Sequence, residues 1–271
     1  MNASGILSNV FEQLTSFVGF VFFVGFLIAV LNRIFYSLAG NKMSVVYATG
    51  LIGTPIHELS HAIMCIVFGH KITEVRLFQI DSDDGTLGYV KHSYNPRNIY
   101  HLIGQYFIGV APIFVGSIAL YLAMRYFTPG TYGEVTQIFN ELDSVGDGSF
   151  NWFANFGKIF KRIIGSLFSS LGDGILSWVF MLLSMCIALH MNLSKADVKG
   201  AIVAIPLIAI LLFVVNFILG FISKSAYSAF IRAMDSVGIF IAVMLSLSLI
   251  FSVLCVAVAI AFRAVRSLIK R

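Results

Sequence analysis

Apolar residues occur along this chain in long blocks rather than in the narrow stripes of amphipathic helices. About 20 apolar residues in helical conformation cross the hydrocarbon core of a bilayer, so such blocks predict membrane helices. Six blocks qualify, at about residues 16–38, 43–68, 99–127, 175–191, 200–222 and 237–262. The fourth is short and ends in polar residues. The pattern predicts an all-α polytopic membrane protein with about six transmembrane helices, in one membrane domain covering residues 1–271.

Composition supports this fold class. The 271 residues are 58% hydrophobic and 11% charged, whereas soluble domains carry about 25% charged residues. The net charge of +5 comes from lysines and arginines that flank the apolar blocks. Side chains in those positions contact lipid headgroups and set orientation. The predicted partner is therefore the lipid bilayer and not nucleic acid.

A polar segment between the second and third blocks contains two runs of β-forming residues. Thr73–Ile80 and Thr86–Val90 flank the turn sequence Asp83-Asp84-Gly85, which is typical of a β-hairpin. We expect a small membrane-associated hairpin at about residues 71–92. An ordinary polar loop is the alternative.

A second polar segment separates the third and fourth blocks. Its later part, about residues 150–171, alternates aromatic and basic residues at helical spacing. That pattern predicts an interfacial amphipathic helix with Lys158, Lys161 and Arg162 toward the headgroups. A short span or re-entrant segment is the alternative.

The distribution of basic residues predicts orientation. With a cytoplasmic N-terminus, ten of the 18 lysines and arginines lie inside, including the basic C-terminal tail. The acidic residues Glu134, Glu141, Asp143 and Asp147 would then lie outside. Positively charged loops favour the cytoplasm. We therefore expect a multi-pass protein of the cell membrane with both termini cytoplasmic.

The sequence His57-Glu58-Leu59-Ser60-His61 lies inside the second apolar block. Histidines four residues apart share one helix face and can bind one Zn²⁺, with the glutamate between them directed toward the metal. Ionisable side chains at membrane depth are costly unless they pair, bind metal or line a wet cavity. A catalytic zinc site within the membrane explains all three residues together.

A catalytic zinc site needs a third protein ligand. The polar segment after the fourth block offers His190 and Asp197, and Asn192 lies between them. Ser194 and Asp197 also have the spacing of a helix N-terminal capping box, and Asp197 can take part in both the cap and the site. Both Asp197 and His190 remain possible ligands, and His190 can alternatively orient another ligand.

Other polar residues have simpler interpretations. His70 and His92 flank the predicted hairpin and are expected to face solvent. Cys65, Cys186 and Cys255 lie in apolar segments without CxxC spacing. This predicts buried small side chains rather than disulfides or a cysteine-zinc site.

Within the membrane blocks, Asn32 precedes Arg33 near the end of the first block, and both are expected at the interface. Gly50, Gly53 and Pro55 precede the HELSH sequence and can let the helix bend or let another helix approach closely. Gln105 in the third block is expected either to line the cavity or to bond a neighbouring helix.

IHELSHAI, VAPIFVGSIAL and NLSKADVKG together resemble segments of site-2-protease-type intramembrane zinc metalloproteases, over about residues 45–200. In that family a β-hairpin with a GGYV-like stretch follows the HExxH helix, and residues 85–90 (GTLGYV) are similar to it. The family's third ligand is an aspartate of an N-x-x-P…D-G motif. Asn192 and Asp197, followed by Gly200, are similar to a shortened form without the prolines.

The resemblance implies a catalytic core at about residues 43–200 and a role for each site residue. His57, His61 and Asp197 would bind Zn²⁺, and Glu58 would take a proton from the attacking water. Asn192 would hydrogen-bond the substrate backbone or the developing oxyanion. The substrates would be membrane-spanning or membrane-associated peptides. The sequence predicts no oligomeric state.

Two other interpretations remain open. A CAAX-processing-type membrane metalloprotease would take a glutamate as third ligand, for which Glu74, Glu134 and Glu141 are the downstream candidates. A metal-binding transporter would use the histidines without hydrolysis. It would also need polar residues across several spans, and the last two blocks have few.

Overall fold

The computed structural model describes residues 3–80, 85–144 and 152–269. Within these ranges the chain forms nine α-helices and one two-stranded antiparallel sheet. The helices are α1 (Ala3–Leu14), α2 (Phe20–Leu38), α3 (Met43–Val67), α4 (Ile99–Phe127), α5 (Pro129–Ser144), α6 (Trp152–Ser170), α7 (Ile175–Leu189), α8 (Lys195–Ile222) and α9 (Lys224–Ile269). The strands are β1 (Lys71–Arg76) and β2 (Tyr89–Ser93). A π-helical turn, Thr15–Gly19, joins α1 to α2 without a break.

Five helical segments in the described part of the chain are long and apolar enough to cross a membrane. They are Gly5–Leu38, Met43–Val67, Ile99–Phe127, Lys195–Ile222 and Lys224–Ile269. The protein is therefore an all-α polytopic membrane protein, as predicted.

The predicted fourth span is shorter than expected. Helix α7 has 15 residues, and this corresponds to about 22 Å at 1.5 Å per residue. That length falls short of the hydrocarbon core of about 30 Å. The helix ends at Leu189, and residues 191–194 are not helical. This interruption places backbone polar groups beside α3, where the HELSH sequence lies.

Helix α9 forms the centre of the bundle. In its most apolar window 83% of the residues are buried, against 11% in α8. It packs against α2, α4, α6 and α7, and its Ser248 hydroxyl lies 2.6 Å from that of Ser117 in α4. The predicted last span, 237–262, lies inside this 46-residue helix, which begins earlier than the apolar block.

The segment between α4 and α7 contains an amphipathic helix, as predicted. In α6 the residues Ile159, Ile163 and Leu167 recur every four positions and are at most 2% exposed. Lys158 and Lys161 are exposed. The predicted first residue of this helix, Phe150, lies outside the described residues, as does the acidic Asp147.

Arg162 of α6, predicted to lie toward the headgroups, is ion-paired within the protein. Its Nε lies 2.7 Å from Glu134 Oε1 of α5, and its Nη1 contacts Glu141 of the same helix. A guanidinium has enough donors for both carboxylates, so Arg162 joins α6 to α5.

The predicted hairpin is confirmed, with different strand bounds. Strands β1 and β2 pair antiparallel with Lys71 opposite Ser93 and Arg76 opposite Tyr89, and the register shifts between Ile72 and Glu74. The predicted turn residues Asp83 and Asp84 lie outside the described residues. Both strands pack against α3, so the hairpin lies beside the helix that carries HELSH.

Candidate functional site

His57 and His61 lie one above the other on α3, as their spacing predicts. Their Nε2 atoms are 3.1 Å apart. His61 is 7% exposed, and Glu58 between them is also 7% exposed. Three ionisable side chains are thus collected within one buried turn and a half of a membrane helix.

Both imidazoles are oriented by backbone carbonyls of other helices. His57 Nδ1 lies 2.6 Å from the carbonyl oxygen of His190, at the end of α7. His61 Nδ1 lies 2.8 Å from the carbonyl oxygen of Ile108 in α4. A carbonyl oxygen only accepts, so each Nδ1 carries the proton and donates it. In the neutral rings the two Nε2 atoms therefore bear lone pairs that face each other.

Asp197 brings a third acceptor to the same point from the first turn of α8. Its Oδ2 accepts from the Ser194 backbone N–H at 2.7 Å, and the Ser194 hydroxyl accepts from the Asp197 N–H at 3.1 Å. The predicted capping box is therefore present. The other oxygen, Oδ1, lies 3.5 Å from His61 Nε2. One oxygen of the carboxylate thus belongs to the helix cap, and the other faces His61.

The three ligand-type atoms of His57, His61 and Asp197 all lie within 4.8 Å of one another. Two of them are lone pairs on neutral rings and the third is a carboxylate oxygen. None has a proton to offer its neighbours, so the arrangement is repulsive until a cation lies among them. Tetrahedral zinc with bonds of about 2.0–2.1 Å separates its nitrogen and oxygen ligands by about 3.3 Å. The observed 3.1 and 3.5 Å bracket that value.

Glycines set the helix distances that bring these groups together. A Cβ on Gly53 of α3 would lie 2.7 Å from the His190 Cβ and would collide with the Cys186 carbonyl of α7. A Cβ on Gly109 of α4 would lie 3.0 Å from the Ala201 Cβ and would collide with the Asp197 carbonyl. The expected close approach at Gly53 is confirmed, and Gly109 has the same role for α8.

Glu58 lines a cavity of about 340 Å³ together with all three ligand-type residues. Gln105 and Gly109 of α4 form another wall of this cavity, and Thr86, Gly88 and Tyr89 of the hairpin region close it from the side. A Cβ on Gly88 would lie 2.8 Å from the Glu58 Cγ and 2.9 Å from the Arg76 carbonyl. Only glycine fits at this crossing, so the hairpin connection passes directly over the glutamate.

A second cavity of about 310 Å³ lies on the other side of Gly88 and is also lined by His57 and Glu58. Asn192 lines this second cavity. Its Oδ1 accepts a hydrogen bond of 2.9 Å from Asn32 Nδ2 of α2, which also donates to the Ala188 carbonyl at 2.9 Å. Fixing Oδ1 leaves the two Nδ2 protons of Asn192 as donors beside the site.

Asn32, expected at the membrane interface beside Arg33, is fully buried within the protein, at 0% exposure. The sequence contained a signal for this. An amide within an apolar span usually faces a polar partner inside the bundle. Asn32 was missed as part of the site because its partner, Asn192, follows 160 residues later.

The His190 side chain does not join the ligand triangle. Its Nε2 lies 3.0 Å from Thr49 Oγ1 and 3.3 Å from the Tyr36 hydroxyl, and its Nδ1 lies 3.3 Å from Thr54 Oγ1. Of the two candidate third ligands, Asp197 is beside the histidines, whereas His190 contributes its backbone carbonyl. His190 therefore orients His57, but through the main chain.

The three downstream glutamates lie elsewhere. Glu74 of β1 accepts from Lys91 Nζ at 2.8 Å, and this ammonium holds the pKa of the Glu74 carboxyl below its ordinary value. Glu134 and Glu141 are paired with Arg162. Each of these carboxylates is already paired with a lysine or an arginine, and none belongs to the group of ligand-type atoms at His57 and His61.

Comparison of the chain with models of protein families, with curated proteins and with solved structures finds no match.

Proposed function

We propose that this protein is a zinc-dependent intramembrane endopeptidase, related in mechanism to the site-2-protease type that its sequence resembles. The observation that carries the proposal is the set of three converging acceptors. His57 Nε2, His61 Nε2 and Asp197 Oδ1 come from two helices, and both histidine rings are fixed by carbonyls so that lone pairs face the same point. Zinc favours such a set of two imidazoles and one carboxylate.

The donor set also accounts for the supporting contacts. Histidines that bind metal nearly always donate their other ring N–H to a carbonyl or carboxylate, which fixes ring and tautomer. A proton in place of the metal would satisfy one pair of acceptors and leave the third unpaired. Bound at His57, His61 and Asp197, Zn²⁺ would supply a Lewis acid that polarises the scissile carbonyl and acidifies a water molecule.

Glu58 is the residue we assign to proton transfer. It is a carboxylate on the same helix turn as the two histidines, it lines both cavities, and it is almost fully buried. A general base must lie within hydrogen-bond reach of the water whose proton it takes. Glu58 would hold that proton and return it to the leaving amine.

Two amides are placed to hold the substrate main chain. The Gln105 Nε2 group lines the first cavity and has no hydrogen-bond partner among the described residues. The Asn192 Nδ2 group lines the second cavity, with its amide fixed by Asn32. A buried donor without a partner, such as Gln105 Nε2, is costly, so a carbonyl-rich ligand such as an unwound peptide would satisfy it.

The position of the hairpin favours an extended peptide as substrate. A helix hides its carbonyls, so the segment to be cleaved must unwind locally. Residues 85–88 are not helical and lie between the two cavities. An extended segment could add to the hairpin by strand pairing, with its carbonyl directed toward the histidines. Substrates would be membrane-spanning or membrane-associated peptides.

The rival interpretations fit the geometry less well. A transporter needs polar groups along a path through several helices, whereas beyond its first two turns α8 carries one polar side chain, Asn216. A glutamate ligand of the CAAX-processing type is disfavoured within the described residues, because all three downstream glutamates already pair with a lysine or an arginine.

The orientation we propose places both termini in the cytoplasm, at the cell membrane. This requires six crossings, with α7 and the non-helical residues 191–194 together forming the fourth. Non-helical backbone at membrane depth is tolerated where it lines a wet cavity, and Asn192 lines one here. Protease protection of tags at each terminus, in sealed inverted vesicles, would test the proposal: both tags should be cleaved.

The decisive test of function is a Glu58→Gln variant of the full-length protein in liposomes. The probe is a quenched-fluorescence set of apolar peptides of about 20 residues, each with a helix-breaking Gly or Pro. The cleavage rate should fall by about 10²- to 10⁴-fold, which is the contribution of a general base, while the zinc content stays unchanged. The matched control Glu12→Gln changes an exposed glutamate of α1 and should cleave normally. Normal cleavage by Glu58→Gln would contradict the proposal.

A further inference from the structure

A second cluster of ligand-type side chains lies where α3 meets the hairpin. Three ligand atoms lie within 4.8 Å of one another there. They belong to Cys65 of α3, to His70 just after that helix, and to His92 of β2. Cys65 is 0% exposed and His70 is 5% exposed, and His92 is half-buried. His70 was expected to face solvent, and that prediction was wrong because the hairpin covers it.

The chain turn after α3 brings two of these residues together. Gly69 has a φ of 70°, the left-handed conformation that favours glycine. The His70 N–H donates to the Cys65 carbonyl at 2.8 Å, and the Gly69 N–H donates to the Ile66 carbonyl at 3.2 Å. These are the two bonds of a Schellman motif. The motif reverses the chain so that His70 returns beside Cys65.

The third residue comes from strand β2. His92 Nδ1 lies 3.1 Å from His70 Nδ1. His70 Nε2 lies 2.9 Å from the His101 carbonyl of α4. Because a carbonyl oxygen only accepts, this Nε2 donates, and the Nδ1 of the neutral His70 ring bears a lone pair. The Tyr94 ring stacks on the His70 ring, with centroids 5.1 Å apart and planes at 13°. His70 is thus held by a carbonyl and an aromatic ring with its free nitrogen toward His92.

The chemistry of these donors indicates a metal ion that prefers sulfur and nitrogen. A thiolate and two imidazoles suit Zn²⁺ and exclude Mg²⁺ or Ca²⁺, which take oxygen ligands. Zinc bonds of about 2.3 Å to sulfur and 2.0–2.1 Å to nitrogen separate such ligands by about 3.3–3.6 Å, near the observed 3.1 Å between the nitrogens. Burial lowers the pKa of His70 and that of His92.

We propose that Cys65, His70 and His92 form a second metal site, which binds Zn²⁺ and fastens the hairpin to the end of α3. A two-stranded hairpin alone is marginally stable in water, and this one also contains a register shift next to Thr73. Cys65 lies four residues beyond His61, a rise of about 6 Å along the helix. The ion therefore holds the hairpin, including Gly88, over the cavity at Glu58 without belonging to the first site.

The two sites can be distinguished by their ligands, because only the second contains a thiolate. The test uses metal-free, full-length protein in detergent, titrated with Co²⁺ alone. The wild type should bind two equivalents and show the near-ultraviolet charge-transfer band of a thiolate–cobalt bond. Cys65→Ala should lose the band and one equivalent. Cys186→Ala and Cys255→Ala, the matched controls, should keep both.

Two further variants separate this proposal from the proposed function. The double variant His57→Ala, His61→Ala should lose the other equivalent and keep the thiolate band. His92→Asn, a change on a half-buried strand position, should lose the band even if Cys65→Ala fails to fold. A wild type that binds one equivalent without a thiolate band would overturn the second site. A band that persists in Cys65→Ala would also overturn it.

Discussion

Two clusters of ligand-type residues lie along α3, one at His57 and His61 and one at Cys65 a turn further on, and they differ in how their rings are supported. At His57 and His61 both rings donate to carbonyls of other membrane helices, and the third ligand also comes from a membrane helix. At Cys65 and His70 the third ligand comes from a strand outside the membrane helices. In the first cluster every ligand-type residue lies on packed helices, which would give a rigid site open to the cavity. In the second cluster one such residue lies on the hairpin, so a bound ion would hold the hairpin against α3.

The clusters also differ in access. His57 and His61 both line the 340 Å³ cavity beside Glu58. Of the second cluster only His92 lines it, and Cys65 is fully buried. The comparison teaches that ligand type alone does not assign a catalytic site. We propose the first cluster as catalytic because a buried carboxylate, Glu58, and a cavity with space for a substrate lie beside it.

The largest expected effect follows from removing the ring at the centre of the first cluster. His61 Nε2 is close to both other acceptors, so His61→Ala should abolish zinc binding there and reduce cleavage to background. Cys65→Ala should retain that zinc and cleave at a reduced rate, because only the hairpin loosens. Metal analysis and peptide cleavage on both variants measure this. Equal loss of cleavage and of metal in both would break the distinction between the clusters.

The two functions of the Asp197 carboxylate can be separated by paired variants. Asp197→Asn keeps an oxygen that can accept from the Ser194 N–H but removes the charge, so the fold should persist. Loss of a group that only orients a metal ligand lowers metal affinity by about 10- to 100-fold. The zinc affinity of Asp197→Asn should fall by more than this. Ser194→Ala should cost about 1 kcal/mol of helix capping and weaken zinc binding less. Isothermal titration with zinc distinguishes them, and the reverse order of affinities would contradict the assignment of the two oxygens.

A smaller effect is expected from disturbing the support of His57. Gly53→Ala would force α7 away from α3, at an overpacking cost of about 1–3 kcal/mol, and would displace the His190 carbonyl. The midpoint temperature of thermal unfolding in detergent and the cleavage rate should both fall, while the thiolate–cobalt band stays unchanged. Gly165→Ala is the matched control, since nothing lies within 4 Å of its added Cβ. Unchanged cleavage in Gly53→Ala would show that the carbonyl does not orient His57.

The smallest effect is expected at Gln105. If its Nε2 donates to the substrate main chain, Gln105→Ala loses one hydrogen bond, about 0.5–1.5 kcal/mol. We expect kcat/KM to fall by about 2- to 10-fold while the zinc content stays unchanged. Gln137→Ala, on the exposed face of α5, is the control and should leave kcat/KM unchanged. A loss of zinc in Gln105→Ala would instead make this amide part of the metal support.

The sequence predicted the parts of the site that depend on local spacing. The four-residue spacing of His57 and His61 and the three-residue spacing of Ser194 and Asp197 each fix a geometry within one helix turn. Apolar block length likewise predicted the membrane helices, except where the fourth block gave only the 15 residues of α7. These features depend on residues close together in the sequence, so they can be predicted without knowledge of the fold.

The supports of the ligands were not predictable in the same way. The carbonyls of Ile108 and His190 that orient the rings are main-chain groups, so no residue type marks them. The pairing of Asn32 with Asn192 and the meeting of His70 with His92 depend on packing between segments far apart in sequence. The hairpin register in particular decides whether His92 faces Cys65, and strand bounds shifted by a few residues from the prediction.

The most direct test of the central claim is zinc-edge X-ray absorption on the purified Cys65→Ala variant, which isolates the first cluster. The claim is that His57, His61 and Asp197 share one cation. It predicts one zinc per chain, with nitrogen and oxygen neighbours at about 2.0–2.2 Å and no sulfur. A protein without zinc, or zinc surrounded by sulfur, would contradict it.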